Sequence, residues 1–228
     1  SPGLEMAATY IAREFERLGL EPAGDSGSYI QRFPFMVRAV RAEGVEFGVA
    51  GRSGERSFVF GRDFFVAPGR PESARGALVY GGDPSRLDPA RAAPARGAVL
   101  VLELPGSREQ EWRPAALRAR RVAQEAGAAA VVFNMDPAVA ESGIREQAAA
   151  STKSALGSRQ ITAVYLGADA AVALFRTAGQ DLDRLRAGRA PVTVHGARVS
   201  VAAPVYEEDA RPPNVVALLP GSDPELRD

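Results

Sequence analysis

Apolar residues at Leu4, Ala8, Ile11, Phe15 and Leu18 recur at helical spacing, while Glu5, Arg13, Glu14, Glu16 and Arg17 fall off that stripe. The pattern predicts an amphipathic helix over 4–18, stopped by Gly19 and by Pro22 beyond it. Its apolar stripe needs a partner. In "SYIQRFPF" (28–35), Tyr29, Gln31, Phe33 and Phe35 alternate around Pro34, which reads as an edge or entry strand because proline cannot donate to a central ladder. From Arg41 to Arg75, short strands separated by glycines, "GVEFGVAG" and "RSFVFGRDFFV", give the texture of a β-meander that ends in the turn "APGRPES".

"GALVYGG" (76–82) is a further strand, and "RGAVLVLEL" (96–104) is the most strand-like run in the chain. After Leu104 come a turn, "PGSREQEW", and a helix over 114–126 with Ala115, Ala119, Val122 and Ala126 on one face. Gly127 is its stop, and "AAAVVFN" (128–134) is the next strand. A strand–helix–strand unit with a crossover of about 25 residues joins two parallel strands in the right-handed sense. Residues 135–160 carry little periodicity and read as a long polar connection, the kind of loop that usually serves a function. "ITAVYLG" (161–167) resumes as a strand, "ADAAVALFRTA" (168–178) is a helix stopped by Gly179, and "DLDRLRAG" adds further helical turns. Val192, Val194, Val199 and Val201 alternate on either side of Gly196, as in a hairpin return, and "EDARPP" then links to a terminal strand over 214–219.

Composition narrows the function classes. Lys plus Arg and Asp plus Glu are 28 each, so no basic excess exists to concentrate nucleic acid or an anionic membrane. No run approaches the ~20 apolar residues of a membrane span, and "SPGLEMAATY" has neither a basic n-region nor an apolar h-region. With no cysteine, disulfides, thiolate metal sites and cysteine nucleophiles are all absent.

Candidate chemistry is sparse. The one histidine, His195, lies in an alternating β segment with no acidic residue within two positions, and reads as a surface or edge-strand residue. No G-x-S-x-G elbow occurs, and "ASTKS" fails S-x-x-K because Ala150 stands three before Lys153. A phosphate-cradling G-x-x-x-x-G-K-[ST] is missing, and the glycines of "YGGDPSR" do not form G-x-G-x-x-G. Glu103, Asp136, Glu141, Asp169, Glu207 and Glu208 are acids that could pair for proton transfer, each more often a solvated charge or a cap. Trp112 at a helix start reads as a staple onto the core. No catalytic or metal-ligating residue is therefore assigned, and Arg145, Lys153 and Arg159 of the 135–160 loop are the candidate substrate-facing positions.

The two ends carry a resemblance. Ser1, Pro2, Gly3, Glu5, Ala7, Tyr10, Ile11, Phe15, Leu18, Gly19, Leu20 and Pro22, with Asn214 to Ala217, Leu219 and Pro220 to Pro224, resemble the segments flanking an inserted domain in a family of di-zinc exopeptidases. That family includes bacterial aminopeptidases and the glutamate carboxypeptidase and transferrin receptor relatives. The middle, "GALVYGG", "RGAVLVLEL", "AQEAGAAAVVFN" and "ITAVYLGADAAVALF", resembles its protease-associated domain, with Thr162 where the family more often has proline nearby.

The resemblance implies an α/β, β-rich fold: a β-barrel- or sandwich-like core flanked by helices, with one N-terminal helix and one C-terminal strand belonging to a peptidase domain. It implies boundaries of 1–40, 41–209 and 210–228. In the family a His-x-Asp zinc pair follows the N-V-V-A-x-L-P-G-S-D-P segment, and this sequence stops at Asp228 before any such pair. The expectation is thus a chain truncated before the zinc ligands, not an enzyme by itself and without a cofactor, with zinc and peptidase activity in a full-length parent. The module would act as a lid or substrate-access element, partnered by its own peptidase domain and by peptide substrate, in a secreted or periplasmic setting. The alternative is an autonomous peptide-binding or self-association module. Without a peptidase sheet beside them, the helix 4–18 and strand 214–219 are expected to drive homodimerisation or partial disorder of the termini.

Overall fold

The computed structural model describes residues 2–139, 141–152 and 160–221. Two compact units divide the chain, Ser1–Val37 with Glu207–Asp228, and Arg38–Tyr206. Strands β3 (Phe35–Val40) and β12 (Val205–Ala210) carry the chain across the two boundaries.

The smaller unit holds α1 (Pro2–Arg17) and the short strands β1 (Glu21–Pro22), β2 (Ile30–Arg32), β13 (Pro213–Val215) and β14 (Ala217–Leu218). Gly19, at φ 72°, ends α1 in the left-handed conformation that glycine adopts without strain. β13 pairs antiparallel with β2, placing Asn214 opposite Gln31, and β14 pairs with β1, placing Leu218 opposite Glu21. The apolar run 214–219, expected as one strand, is therefore two. Val216 between them donates its N–H to the Tyr29 carbonyl at 2.8 Å and accepts from Ala23 N–H at 3.3 Å, so each half reaches a different neighbour. On α1 only Ala8 is buried, and Leu4, Met6, Tyr10 and Ile11, like Leu18 just beyond the helix, stay exposed.

The larger unit is built on one eight-stranded sheet. Its strands are β4 (Glu46–Gly51), β5 (Gly54–Ser57), β6 (Phe64–Ala67), β7 (Ser73–Gly82), β8 (Val99–Glu103), β9 (Ala130–Asn134), β10 (Ala163–Leu166) and β11 (Val192–Ala202), in the order β5-β4-β11-β7-β8-β9-β10-β6. β7, β8, β9 and β10 run parallel, and β11 and β6 flank them antiparallel. Helices α2 (Pro89–Ala92), α3 (Glu109–Glu125), α4 (Glu141–Ser151), α5 (Ala168–Thr177) and α6 (Leu182–Ala187) supply the connections.

Period-two alternation assigns the two faces. Val99, Val101, Ala130, Val132, Val164 and Leu166 join Leu174 and Phe175 of α5 and Leu182 and Leu185 of α6 in one cluster. Leu100, Leu102, Val131, Phe133 and Tyr165 join Trp112, Ala116 and Ala119 of α3 and Ile144 of α4 in the other. The sheet also curls. Phe47 of β4 and Phe64 of β6, from the second and eighth strands in the order, bring their rings to 5.4 Å, and Phe58 stands 5.3 Å from Phe47. The result is the β-rich α/β fold with a barrel-like core flanked by helices that was expected. The unit's entry and exit meet: Arg41 N–H donates to the Pro204 carbonyl at 2.8 Å.

Four local expectations are corrected. The supposed meander is a β4–β5 hairpin plus β6, which crosses to the far edge to pair with β10. The supposed hairpin at Gly196 is a single strand, β11, with a bulge between Val194 and Arg198 that Gly196 permits at φ 79°. Helix α3 begins at Glu109 rather than 114, because the Glu111 carboxylate accepts the Arg108 N–H at 3.2 Å and caps an earlier start, placing Pro114 inside the helix. The 135–160 connection contains α4, held by burial of Ile144 and Ala148 one turn apart and by the Glu141–Arg145 pair at 2.8 Å.

Candidate functional site

At the carboxyl end of β7 one connection leaves the sheet and another, from α6, enters it as β11, on opposite faces. The segment after β7, a 3-10 turn at Pro84–Arg86 followed by α2, goes toward α3 on one face, while α6 and the turn into β11 cover the other. Where neighbouring connections diverge in this way a crevice opens at the strand ends. Here it is a cleft of about 530 Å³ with Tyr80 and Glu103 among its lining residues, walled by Gly81, Gly82, Asp83 and Arg86 on one side and Leu185, Arg186, Arg189 and Ala190 on the other.

A hydrogen-bonded network organises this cleft. Glu103 ends β8, and Asn134 stands beside it in register at the end of β9. Asn134 Nδ2 donates to Glu103 Oε1 at 2.8 Å, and Arg186 Nη2 donates to Glu103 Oε2 at 3.0 Å while its Nη1 reaches Asp183 at 3.1 Å. Both carboxylate oxygens of Glu103 are thus engaged. Asn134, 1% exposed, has an Oδ1 with no hydrogen-bond partner. Burial, reinforced by the Glu103 carboxylate, pushes the Tyr80 phenol pKa upward, so that hydroxyl stays protonated. Ser85 Oγ donates to the Asp83 carboxylate at 2.8 Å within the 3-10 turn that follows β7.

A second concavity, about 410 Å³, lies along β6, α3 and α4. Phe65 and Tyr165 stack at 4.5 Å with their planes 2° apart, and Trp112 meets Tyr165 at 5.4 Å. Glu109, Arg113 and Gln147 form part of its lining, with Gln147 Nε2 3.2 Å from Glu109 and Arg113 paired to the same carboxylate. Beneath them Arg120, 3% exposed, donates to the carbonyls of Ile161, Ala67 and Pro68. Trp112 is buried among these rings, in the manner of a staple.

Of the three substrate-facing candidates, Arg145 sits on α4, exposed and paired with Glu141, and lines neither concavity. Lys153 and Arg159 lie outside the described residues. His195 is exposed on the β11 bulge. Among the acids, Asp136 caps its own turn by accepting the Ala138 N–H at 2.8 Å, and Glu141 pairs with Arg145. Glu103 alone of the six belongs to the cleft. Tyr80, Asn134, Arg186 and Arg189 carried no motif in the sequence. The available signal was position, since Tyr80, Glu103 and Asn134 each stand at the end of a predicted strand. Among the described residues no three of His, Asp and Glu gather to hold a metal, so a zinc ion does not fit the residues present.

No protein-family model matches this sequence, nor does any curated protein. Among solved structures, the fold is similar to an aminopeptidase from Aneurinibacillus sp. strain AM-1, with TM-score 0.54 and 17% identity over 99% of this chain and 45% of that one. A peptidase M28 precursor from Shewanella amazonensis SB2B aligns at TM-score 0.48 and 12% identity over 97% of this chain and 46% of its own. A zinc aminopeptidase from Bacillus subtilis aligns at 0.41 and 13% over 92% and 40%. The chain spans less than half the length of each, and at 17% identity the likeness to the Aneurinibacillus aminopeptidase is one of fold.

Proposed function

We propose that this chain is a non-catalytic part of a zinc-dependent, aminopeptidase-type peptidase, with residues 38–206 as a protease-associated domain that governs substrate access. One observation carries the reading. Among the described residues, twelve large apolar side chains are exposed, and nine of them (Leu4, Met6, Tyr10, Ile11, Leu18, Phe35, Met36, Leu218 and Leu219) belong to the smaller unit. Apolar surface concentrated in this way marks an interface. The fold shared with the Aneurinibacillus aminopeptidase over 99% of this chain and 45% of that one supplies an occupant, the remainder of such a peptidase. Because no described cluster can hold zinc, no metal-dependent step is assigned to these residues. An exported location belongs to the same proposal.

Two measurements test it. The isolated chain, supplied with zinc, should neither retain stoichiometric metal after gel filtration nor turn over an aminoacyl-p-nitroanilide, and either result would refute a non-catalytic role. It should also enhance the fluorescence of an apolar dye, with Met6→Glu plus Tyr10→Glu reducing that signal several-fold; an unchanged signal removes the interface. The same exposed apolar residues favour a second reading, self-association of the isolated chain. That reading requires a concentration-dependent dimer in sedimentation that the same double substitution abolishes.

A further inference from the structure

The cleft at the carboxyl end of β7 holds charges that its own network does not consume. Four guanidinium groups line it, Arg86, Arg91, Arg186 and Arg189, against two carboxylates, Asp83 and Glu103. Glu103 is occupied on both oxygens by Asn134 and Arg186. Asp83 accepts the N–H and the hydroxyl of Ser85, both at 2.8 Å. The remaining arginines are only loosely compensated. Arg86 stands 3.7 Å from Asp83 and Arg91 3.9 Å from Asp88, distances beyond a hydrogen bond, and Arg189 has no partner among the described residues. Arg186 is engaged by Glu103 and Asp183, whereas the long pairs of Arg86 and Arg91 and the exposed Arg189 leave guanidinium donors on both walls open to a ligand. Guanidinium groups match the planar, paired oxygens of carboxylate and phosphate. The volume, about 530 Å³, is that of a small-molecule site.

We propose that this cleft binds a small organic anion through a carboxylate or phosphate oxyanion, held by Arg86 and Arg91 from the wall after β7 and by Arg189 from the turn before β11. Glu103 and Asn134 are not anion ligands in this arrangement. They fix the floor and hold Arg186 in place, while the Tyr80 hydroxyl remains protonated beside them. Gly82, at φ 70°, would bring an added Cβ to 3.0 Å from Ala190 Cβ, so glycine here keeps the two walls close enough to share one ligand.

The site stands apart from the peptidase reading, and its test needs no peptidase activity. The full chain is titrated calorimetrically with citrate as the carboxylate probe and pyrophosphate as the phosphate probe, at low and at 0.5 M salt. Saturable binding with one-to-one stoichiometry, weakened by salt, is expected from one probe or both, and the tighter one identifies the oxyanion. Arg189→Ala and Arg86→Ala should each weaken it by roughly 10-fold, about 1.4 kcal/mol, whereas Arg145→Ala on α4 should leave it unchanged. All three positions are exposed, so unchanged melting temperatures verify that the variants fold. Absence of saturable binding by both probes overturns the proposal, as does equal weakening by Arg145→Ala, which would make the heat a general surface effect.

Discussion

Arg120→Ala tests how the groove along β6 is held. The guanidinium is 3% exposed, faces no carboxylate in its hydrogen bonding, and instead donates to the carbonyls of Ile161, Ala67 and Pro68. Each charge-assisted bond contributes about 1.5–3 kcal/mol, so the three together are worth on the order of 5–9 kcal/mol. Removing the side chain recovers the cost of burying a charge, several kcal/mol, but leaves three carbonyls short of a donor. The expected net loss is about 2–4 kcal/mol. With a urea dependence near ~2 kcal/mol per molar, the unfolding midpoint should fall by about 1–2 M. Arg121, the next residue and exposed, is the control: Arg121→Ala should change stability by less than about 0.5 kcal/mol. Arg120→Met, which keeps the aliphatic stem but has no donor, should behave like Arg120→Ala. Equal midpoints for Arg120→Ala and Arg121→Ala would refute the reasoning, since the carbonyls would then be satisfied without the guanidinium.

Two further outcomes are expected. Phe64 is fully buried at the point where the sheet curls on itself, so Phe64→Ala should cost about 3–5 kcal/mol in chemical denaturation, while Val59→Ala, 47% exposed, should be nearly silent. Asp63 accepts from Arg62 and from the Val59 N–H, and the Arg62 bond chiefly holds its pKa below the ordinary carboxylate value. A carboxylate lowered in the folded state stabilises above its unfolded pKa of about 3.9 and loses that contribution as pH falls through the folded value. Asp63→Asn should therefore be less stable than the parent chain near neutral pH, with the gap closing below about pH 4 in denaturation curves measured across pH.

The parts of the fold written plainly in the sequence are those where burial is continuous. Val99–Glu103 and Ala130–Asn134 are apolar on both faces because both faces are covered, and Gly179, like Gly19, ends its helix where only a residue without Cβ is comfortable. Helix α4 was hidden because Ser142, Gly143 and a run of three alanines dilute its periodicity to two buried residues, Ile144 and Ala148. The β11 bulge looks like a hairpin in sequence because Gly196 and its neighbours carry the signature of a turn, and only pairing with β7 on both sides distinguishes the two. The cleft was almost illegible. Tyr80, Glu103, Asn134 and Arg186 are scattered over more than a hundred positions, and strand order rather than any local spacing brings them to one end of the sheet.

The 2.8 Å hydrogen bond from Arg41 to Pro204 has a consequence for how such a chain could be assembled. A body of this size that begins and ends at one point behaves as a plug: it can be spliced between two adjacent positions of another polypeptide without prying them apart. The chain therefore leaves the 38–206 unit close to where it entered it.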